Sequence, residues 1–137
     1  MNIDNLERQH KEIWTIFLAI EKIINLKNIN NEIDELVRNI NVLAGKLNIH
    51  IISEDKFLYP KLMESNDLQI KNIAIKYYDE MGHISNTFKN FKNKFNTKNK
   101  ITNNMQEFEK EAKNMFKTLR ERLEKEDNSL YPKIKQL

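Results

Sequence analysis

An imidazole one helical turn ahead of a carboxylate opens the stretch His50-Ile51-Ile52-Ser53-Glu54-Asp55-Lys56-Phe57-Leu58-Tyr59-Pro60. The stretch returns, altered, as Arg122-Leu123-Glu124-Lys125-Glu126-Asp127-Asn128-Ser129-Leu130-Tyr131-Pro132. Both copies close on Glu-Asp-x-x-Leu-Tyr-Pro, but arginine stands in the second where histidine opens the first. Residues four apart share a helix face, so each copy aims two polar groups the same way. His10 offers a further imidazole from a separate stretch. Two imidazoles with Glu54 and Glu126 make a donor set that suits iron, manganese or zinc. Carboxylates that reach across a bundle to bridge two metals are the usual device of di-iron helical proteins.

The same residues admit a metal-free arrangement. Arg122 precedes Glu126 by one turn, and a guanidinium can pair with both carboxylates while the histidines complete a hydrogen-bond network. Spacing leaves both arrangements open. Either way, acids buried in an apolar bundle need positive compensation, because their desolvation costs several kcal/mol per ion.

The elements that must position these groups are helices. Apolar residues recur at helical spacing in four stretches. The first holds Leu6, Ile13, Phe17, Ile20 and Ile24 and ends in Lys27-Asn28-Ile29-Asn30-Asn31; the second runs from Ile33 through Leu47 to Leu58, closing near Pro60. The third, opened by Ser65-Asn66-Asp67, carries Ile70 to Phe95; the fourth follows Asn103-Asn104 and carries Met105 to Leu130. Asn104 and Glu107 have the spacing of a capping box. Two glycines and two prolines in 137 residues leave little material for hairpins. The expected fold is all-α, a single domain over 1–137 forming an antiparallel up-down-up-down four-helix bundle.

A step of about 100° per residue sorts the polar groups by face. Glu54 falls about 20° and His50 about 60° from Leu47, and Glu126 and Arg122 stand at the same angles to Leu119. His10 lies about 60° from Ile13; Glu80 lies about 60° and His83 about 120° from Tyr77. His10, His50, Glu54, Glu126 and Arg122 therefore face the core, Glu80 sits at its margin, and His83 points away. Glu121 and Asp127 read as solvated. Trp14, Phe17, Phe88 and Phe91 read as core or groove fillers, and Met81 and Met115 as adaptable packing. Tyr59 and Tyr131 read as anchors beside their prolines, each burying a ring while its hydroxyl finds a partner.

Composition excludes some chemistry. The chain has no cysteine, which removes disulfides and thiolate ligands and is compatible with a reducing cytoplasm. A formal charge of +3 is weak support for nucleic-acid binding, and the lysines around Lys89-Asn90-Phe91-Lys92 alternate with core aromatics as a solvated face does. No apolar run approaches the roughly 18–20 residues of a membrane span, and Met1-Asn2-Ile3-Asp4-Asn5 lacks the features of a signal segment. The expectation is a cytoplasmic protein without nucleic-acid or membrane partners.

In Leu6-Glu7-Arg8-Gln9-His10-Lys11-Glu12-Ile13, in His50 to Pro60 and in the Glu126 to Pro132 copy, the chain resembles the hemerythrin-like family, the HHE cation-binding domains. The resemblance covers all four helices. It implies a non-haem di-iron centre, held by histidines from each helix and bridged by two carboxylates, in proteins that bind or sense oxygen or handle nitric oxide, peroxide or iron. It assigns ligand roles to His10, His50 and Glu54 and a bridging role to Glu126. The departures lie in one half. The family's fourth-helix histidine falls on Arg122, and in Glu80-Met81-Gly82-His83-Ile84 methionine takes the third-helix ligand position. His83 is two residues out of step, roughly 200° around the helix from Met81, and reads as a structural or surface residue.

The implied site is asymmetric. One metal position keeps His10, His50, Glu54 and Glu126, and the other is flanked by Met81 and by Arg122, whose charge can fill it. Glu80 is either a compensating ligand or the partner of Arg122. The leading expectation is a non-haem iron protein with one or two ions (other divalent metals also fit the donors). It would take a small diatomic ligand such as oxygen or nitric oxide, or sense iron or redox state. The alternative is a metal-free regulatory or interaction module in which Arg122 neutralises the acids. Turnover of peroxide or nitric oxide is chemically open, but no residue identifies a substrate, and the oligomeric state is not legible.

Overall fold

The computed structural model describes residues 2–137. Four long helices, α1 (Asp4–Asn25), α2 (Ile33–Ser53), α4 (Leu68–Phe95) and α6 (Met105–Lys125), carry the fold. Three one-turn helices, α3 (Tyr59–Met63), α5 (Lys98–Thr102) and α7 (Tyr131–Lys135), lie between or after them. No strand occurs among the described residues. Helix α1 packs on α2, α2 on α4, α4 on α6, and α6 closes back on α1, so the molecule is a helical bundle.

Helix boundaries follow local chemistry. Asp67 caps α4, its carboxylate accepting from the Gln69 and Ile70 amides at 2.9 and 3.4 Å. Helix α1 ends in a Schellman turn. The Lys27 amide donates to the Ile24 carbonyl and the Asn28 amide to the Ile23 carbonyl, with Lys27 left-handed at φ 52°. The capping box expected at the start of α6 does not form. The Asn104 side chain donates instead to the Lys100 carbonyl, at 3.2 Å, and Glu107 pairs with Lys94 at 2.5 Å. The intervening α5, which the sequence pattern did not reveal, supplies that carbonyl.

The second and fourth long helices do not stop at their repeated phrase. Each passes through a single π turn, Glu54–Leu58 and Glu126–Leu130, and resumes as α3 or α7. Proline explains the position. Pro60 and Pro132 have no amide hydrogen, and their rings crowd the carbonyl four residues back. The preceding amides, of Tyr59 and Tyr131, reach five residues back to the Glu54 and Glu126 carbonyls. An unbroken α-helix would place Tyr59 about 120° from Leu47, yet Tyr59 is only 1% exposed. The wider turn absorbs the excess residue and swings both tyrosines inward.

The core falls into two apolar clusters. The larger holds Phe17, Phe88, Phe91, Phe95, Phe108 and Phe116 among its aliphatic neighbours. The smaller holds Leu6, Leu58, Tyr59, Ala74, Leu130 and Tyr131. Every inward polar residue sits where these clusters meet. His10 lies between Leu6 and Ile13, His50 and Glu54 between Leu47 and Leu58, Arg122 and Glu126 between Leu119 and Leu130, and Met81 between Ala74 and Phe88. One level of the bundle is thus polar on α1, α2 and α6, with a methionine on α4.

Lys27 holds a conformation that costs an L-residue about 1–2 kcal/mol. Lys27→Gly should therefore stabilise the protein by about 1 kcal/mol, whereas Phe95→Ala, emptying a fully buried site, should cost about 3–5 kcal/mol. Denaturant melts of the two variants check both signs.

Candidate metal centre

Helix α1 brings His10 to the junction, α2 brings His50 and, at the first residue of its π turn, Glu54; α6 leads into Glu126. His10 is 2% exposed, and His50, Glu54 and Glu126 are each 0% exposed. His10 Nε2 stands 2.7 Å from Glu126 Oε2. His50 Nε2 stands 3.3 Å from Glu54 Oε1 and 3.7 Å from Glu126 Oε2. One donor atom each from His10, His50 and Glu126 lies within 4.8 Å of the others, and Glu54 adjoins through His50. The imidazole centroids are 4.6 Å apart.

Tyr131 ties the cluster together. Its hydroxyl lies 3.0 Å from Glu54 Oε2, 3.3 Å from Glu126 Oε2 and 3.3 Å from His50 Nε2. The second copy of the repeated phrase thereby holds the first. Tyr59, its counterpart, buries its ring in the same way, but its hydroxyl has no hydrogen-bond partner among the described residues.

The outer ring nitrogens are held too. His50 Nδ1 lies 2.8 Å from the Gln9 amide oxygen. His10 Nδ1 lies 2.8 Å from Asp127 Oδ1, and the Trp14 indole donates to Asp127 Oδ2 at 2.8 Å. The expectation that Asp127 is solvated is therefore corrected. It is partly covered, and both its oxygens are engaged. Trp14 does pack against the core, but its polar edge has a task that a filler lacks. Glu121 and His83 are exposed.

The other half of the junction is different. Arg122, buried, pairs with Glu80, and its guanidinium lies 5.0 Å from the Tyr77 ring centroid. Neither Glu54 nor Glu126 is an ion-pair partner of Arg122 among the described residues. Of the two roles open to Glu80, partner of Arg122 is the one this geometry contains, and Glu80 stays outside the histidine cluster. Met81 is buried beside it and walls a cleft of about 450 Å³ between α2 and α4, with Leu47, Ile51 and Phe88.

Protons take the part of a cation in this metal-free arrangement. Burial by itself would lower the pKa of His10, but hydrogen bonds and negative charge from Asp127 and Glu126 raise it to about 9. Both its nitrogens face carboxylate oxygens, as an imidazolium requires. Glu126 resists the upward push of burial because His10 and His50 hold its ionised form, well below the usual carboxylate range. Glu54 is driven well above that range by burial and then by the charge of Glu126. His50 is lowered by burial, with the charge of His10 adding to the effect. Both shifts favour the neutral form of their group, and the two groups stand 3.3 Å apart.

At this junction, among the described residues, Glu54 Oε1 and Glu126 Oε1 are buried without a hydrogen-bond partner. Such orphaned acceptors are costly and rare in finished structures. With two imidazole Nε2 atoms beside them they form a nitrogen and oxygen donor set of the kind that binds iron, manganese or zinc. The residues present fit a cation.

Comparison with known families decides the lineage. The family model described as Hemerythrin HHE cation binding domain matches residues 1–134. The chain belongs to this family. No curated protein and no solved structure matched the chain. As a hemerythrin-family chain it carries a metal-binding type of domain, with His10, His50 and Glu126 as a candidate buried site. No helix among the described residues is long and apolar enough to cross a membrane.

The raised pKa of His10 fixes a sign. A pKa of about 9 folded against 6.5 unfolded contributes stability below pH 6.5, lost as pH climbs toward about 9. Glu54, held above its ordinary value, acts in the same direction, while the lowered His50 acts only below pH 6.5. The melting temperature of the metal-free protein should fall between pH 6.5 and 9, and His10→Asn should flatten much of that fall. Thermal scans across this window, with chelator present, check it.

Proposed function

We propose that this protein is a non-haem iron protein of the hemerythrin type with a reduced, mononuclear site. His10, His50, Glu54 and Glu126 would hold the ion, which supplies a position for reversible binding of a small ligand such as oxygen or nitric oxide, or for sensing iron or redox state. The observation that carries this reading is the pair of fully buried carboxylates, each with an oxygen left unpartnered, beside two imidazole Nε2 atoms. The chain is read as one domain over 1–137, its long helices running up, down, up and down, in the cytoplasm.

This chain's own residues do the rest. His10 and His50 enter as neutral donors, Gln9 and Asp127 fix which ring nitrogen carries the hydrogen, and Tyr131 offers a hydroxyl to either carboxylate. Arg122 and Glu80 fill the second position with an internal ion pair, which favours one ion over two. Met81 adds only a thioether on that side. The apolar clusters on either side keep the four donors buried, and the cleft walled by Met81 opens between α2 and α4.

The metal-free alternative draws its compensation from Arg122. It loses support because Arg122 spends its charge on Glu80.

Expression in iron-rich medium should yield about one metal ion per chain, abolished by His50→Ala. Uptake should release about two protons near neutral pH, one from His10 and one from Glu54, because metal ligands must be deprotonated. Elemental analysis with an indicator titration in weak buffer tests both. Strongly substoichiometric metal, unchanged by His50→Ala, would reject the proposal.

A further inference from the structure

Resting on the reading that His10 and His50 hold a metal ion, we propose that Asp127 and Trp14 act as a positioning pair that makes His10 the stronger imidazole donor. Gln9, a neutral amide, leaves His50 the weaker donor and the one more readily displaced by an incoming ligand. Both histidines are buried, and His10 Nε2 stands closer to a carboxylate, at 2.7 Å, than His50 Nε2 does, at 3.3 Å. They also differ in what stands behind them.

Behind His10 is a carboxylate. Asp127 Oδ1 accepts from His10 Nδ1–H at 2.8 Å, which leaves Nε2 as the nitrogen that faces Glu126. A carboxylate behind a ligating imidazole raises its basicity and fixes its ring orientation. Behind His50 is the Gln9 amide oxygen, also at 2.8 Å. An amide carbonyl orients the ring in the same way but carries no charge to push electron density through it. Gln9 is also held less firmly, since its amide nitrogen reaches only Ser53 Oγ, at 3.4 Å.

Trp14 gives Asp127 its rigidity. One carboxylate oxygen takes the imidazole and the other takes the indole at 2.8 Å, so the group cannot rotate without losing a hydrogen bond. The indole is itself confined. It packs edge-on against Phe17 with centroids 5.4 Å apart, and the Arg120 guanidinium lies 5.5 Å from the ring centroid. Arg120 in turn is ion-paired to Glu21 and Glu124, which holds it over the ring. The chain Trp14, Asp127, His10 thus runs from a half-buried ring to the candidate donor atom without a gap. Trp14 is also the single tryptophan, so its emission reports on that chain.

Cobalt(II) is the probe, titrated into the full-length protein against a competing chelator, with visible absorption and tryptophan emission recorded. The wild type should bind cobalt and change its emission as it does so. Asp127→Asn should weaken binding about 10–100-fold and shrink the emission change. Trp14→Phe, which keeps the ring and removes the donor, should weaken binding by less than Asp127→Asn. Gln9→Glu, which gives His50 the backing that His10 has, should tighten binding, a direction that simple loss of folding cannot produce. Failure of the wild type to bind cobalt would remove the metal reading and this proposal with it. Cobalt binding by the wild type together with equal affinity in Asp127→Asn, or with weakened binding in Gln9→Glu, would remove the positioning pair alone.

Discussion

Two carboxylates with no exposure to water, Glu54 and Glu126, impose the constraint that organises this molecule. Ionised and unpaired, each would cost several kcal/mol in the bundle interior. The fold answers by placing them at the seam between two apolar clusters, where three of the four long helices bring polar groups to one level. In the metal-free state protons meet the demand. Glu126 and Asp127 favour the charged form of His10, the two imidazoles favour the ionised form of Glu126, and burial favours the protonated form of Glu54. An arrangement that relies on protons in this way is one that a divalent ion can displace.

The second buried charge has a separate solution. Arg122 stands in the repeat where His50 stands in the first copy, so duplication alone would have set its charge against Glu126. Instead the guanidinium turns to Glu80 on α4 and to the face of Tyr77. Arg122 is buried and Glu80 only partly so; removing Glu80 would leave a buried guanidinium without its ion-pair partner, the damaging way to break such a pair. Arg122 and Glu80 therefore form a unit that closes one half of the seam electrostatically and leaves the imidazole half to face the acids.

Periodicity carried the fold a long way. The four apolar stripes located the long helices, and angular stepping put His10, His50, Glu54, Glu126 and Arg122 inside, where they lie. It succeeded for Glu54 and Glu126 because both stand at the first residue of their π turns, before any change in helical pitch. It could not place Tyr59 and Tyr131, which lie past those turns and would sit on the flank of a uniform helix. The prolines were the available sign, since a residue without an amide hydrogen must disturb the ladder just ahead of it. Asp127 was misread for a different reason. It is one residue beyond Glu126, about 100° around the helix, so a search confined to the core stripe passes over it. Its capture by His10 and Trp14 depends on how α1 lies against the end of α6, which no single helix encodes. Gln9 is hidden likewise, beside His10 in sequence but serving His50 across the seam.

The repeat also explains why the halves cannot be treated as independent sites. Tyr131 belongs to the second copy, yet its hydroxyl serves Glu54 and His50 of the first as well as its own Glu126. The second copy has arginine where the first has an imidazole, but it carries the same glutamate, tyrosine and proline. It supplies what the first half uses: a carboxylate for His10, a hydroxyl for Glu54, and the π turn that swings Tyr131 inward. Its aspartate, one position on, holds the outer nitrogen of His10. The asymmetry of the centre is thus a division of labour, in which α1 and α2 supply the imidazoles and the stretch after α6 supplies the acids that face His10 and the hydroxyl that faces Glu54.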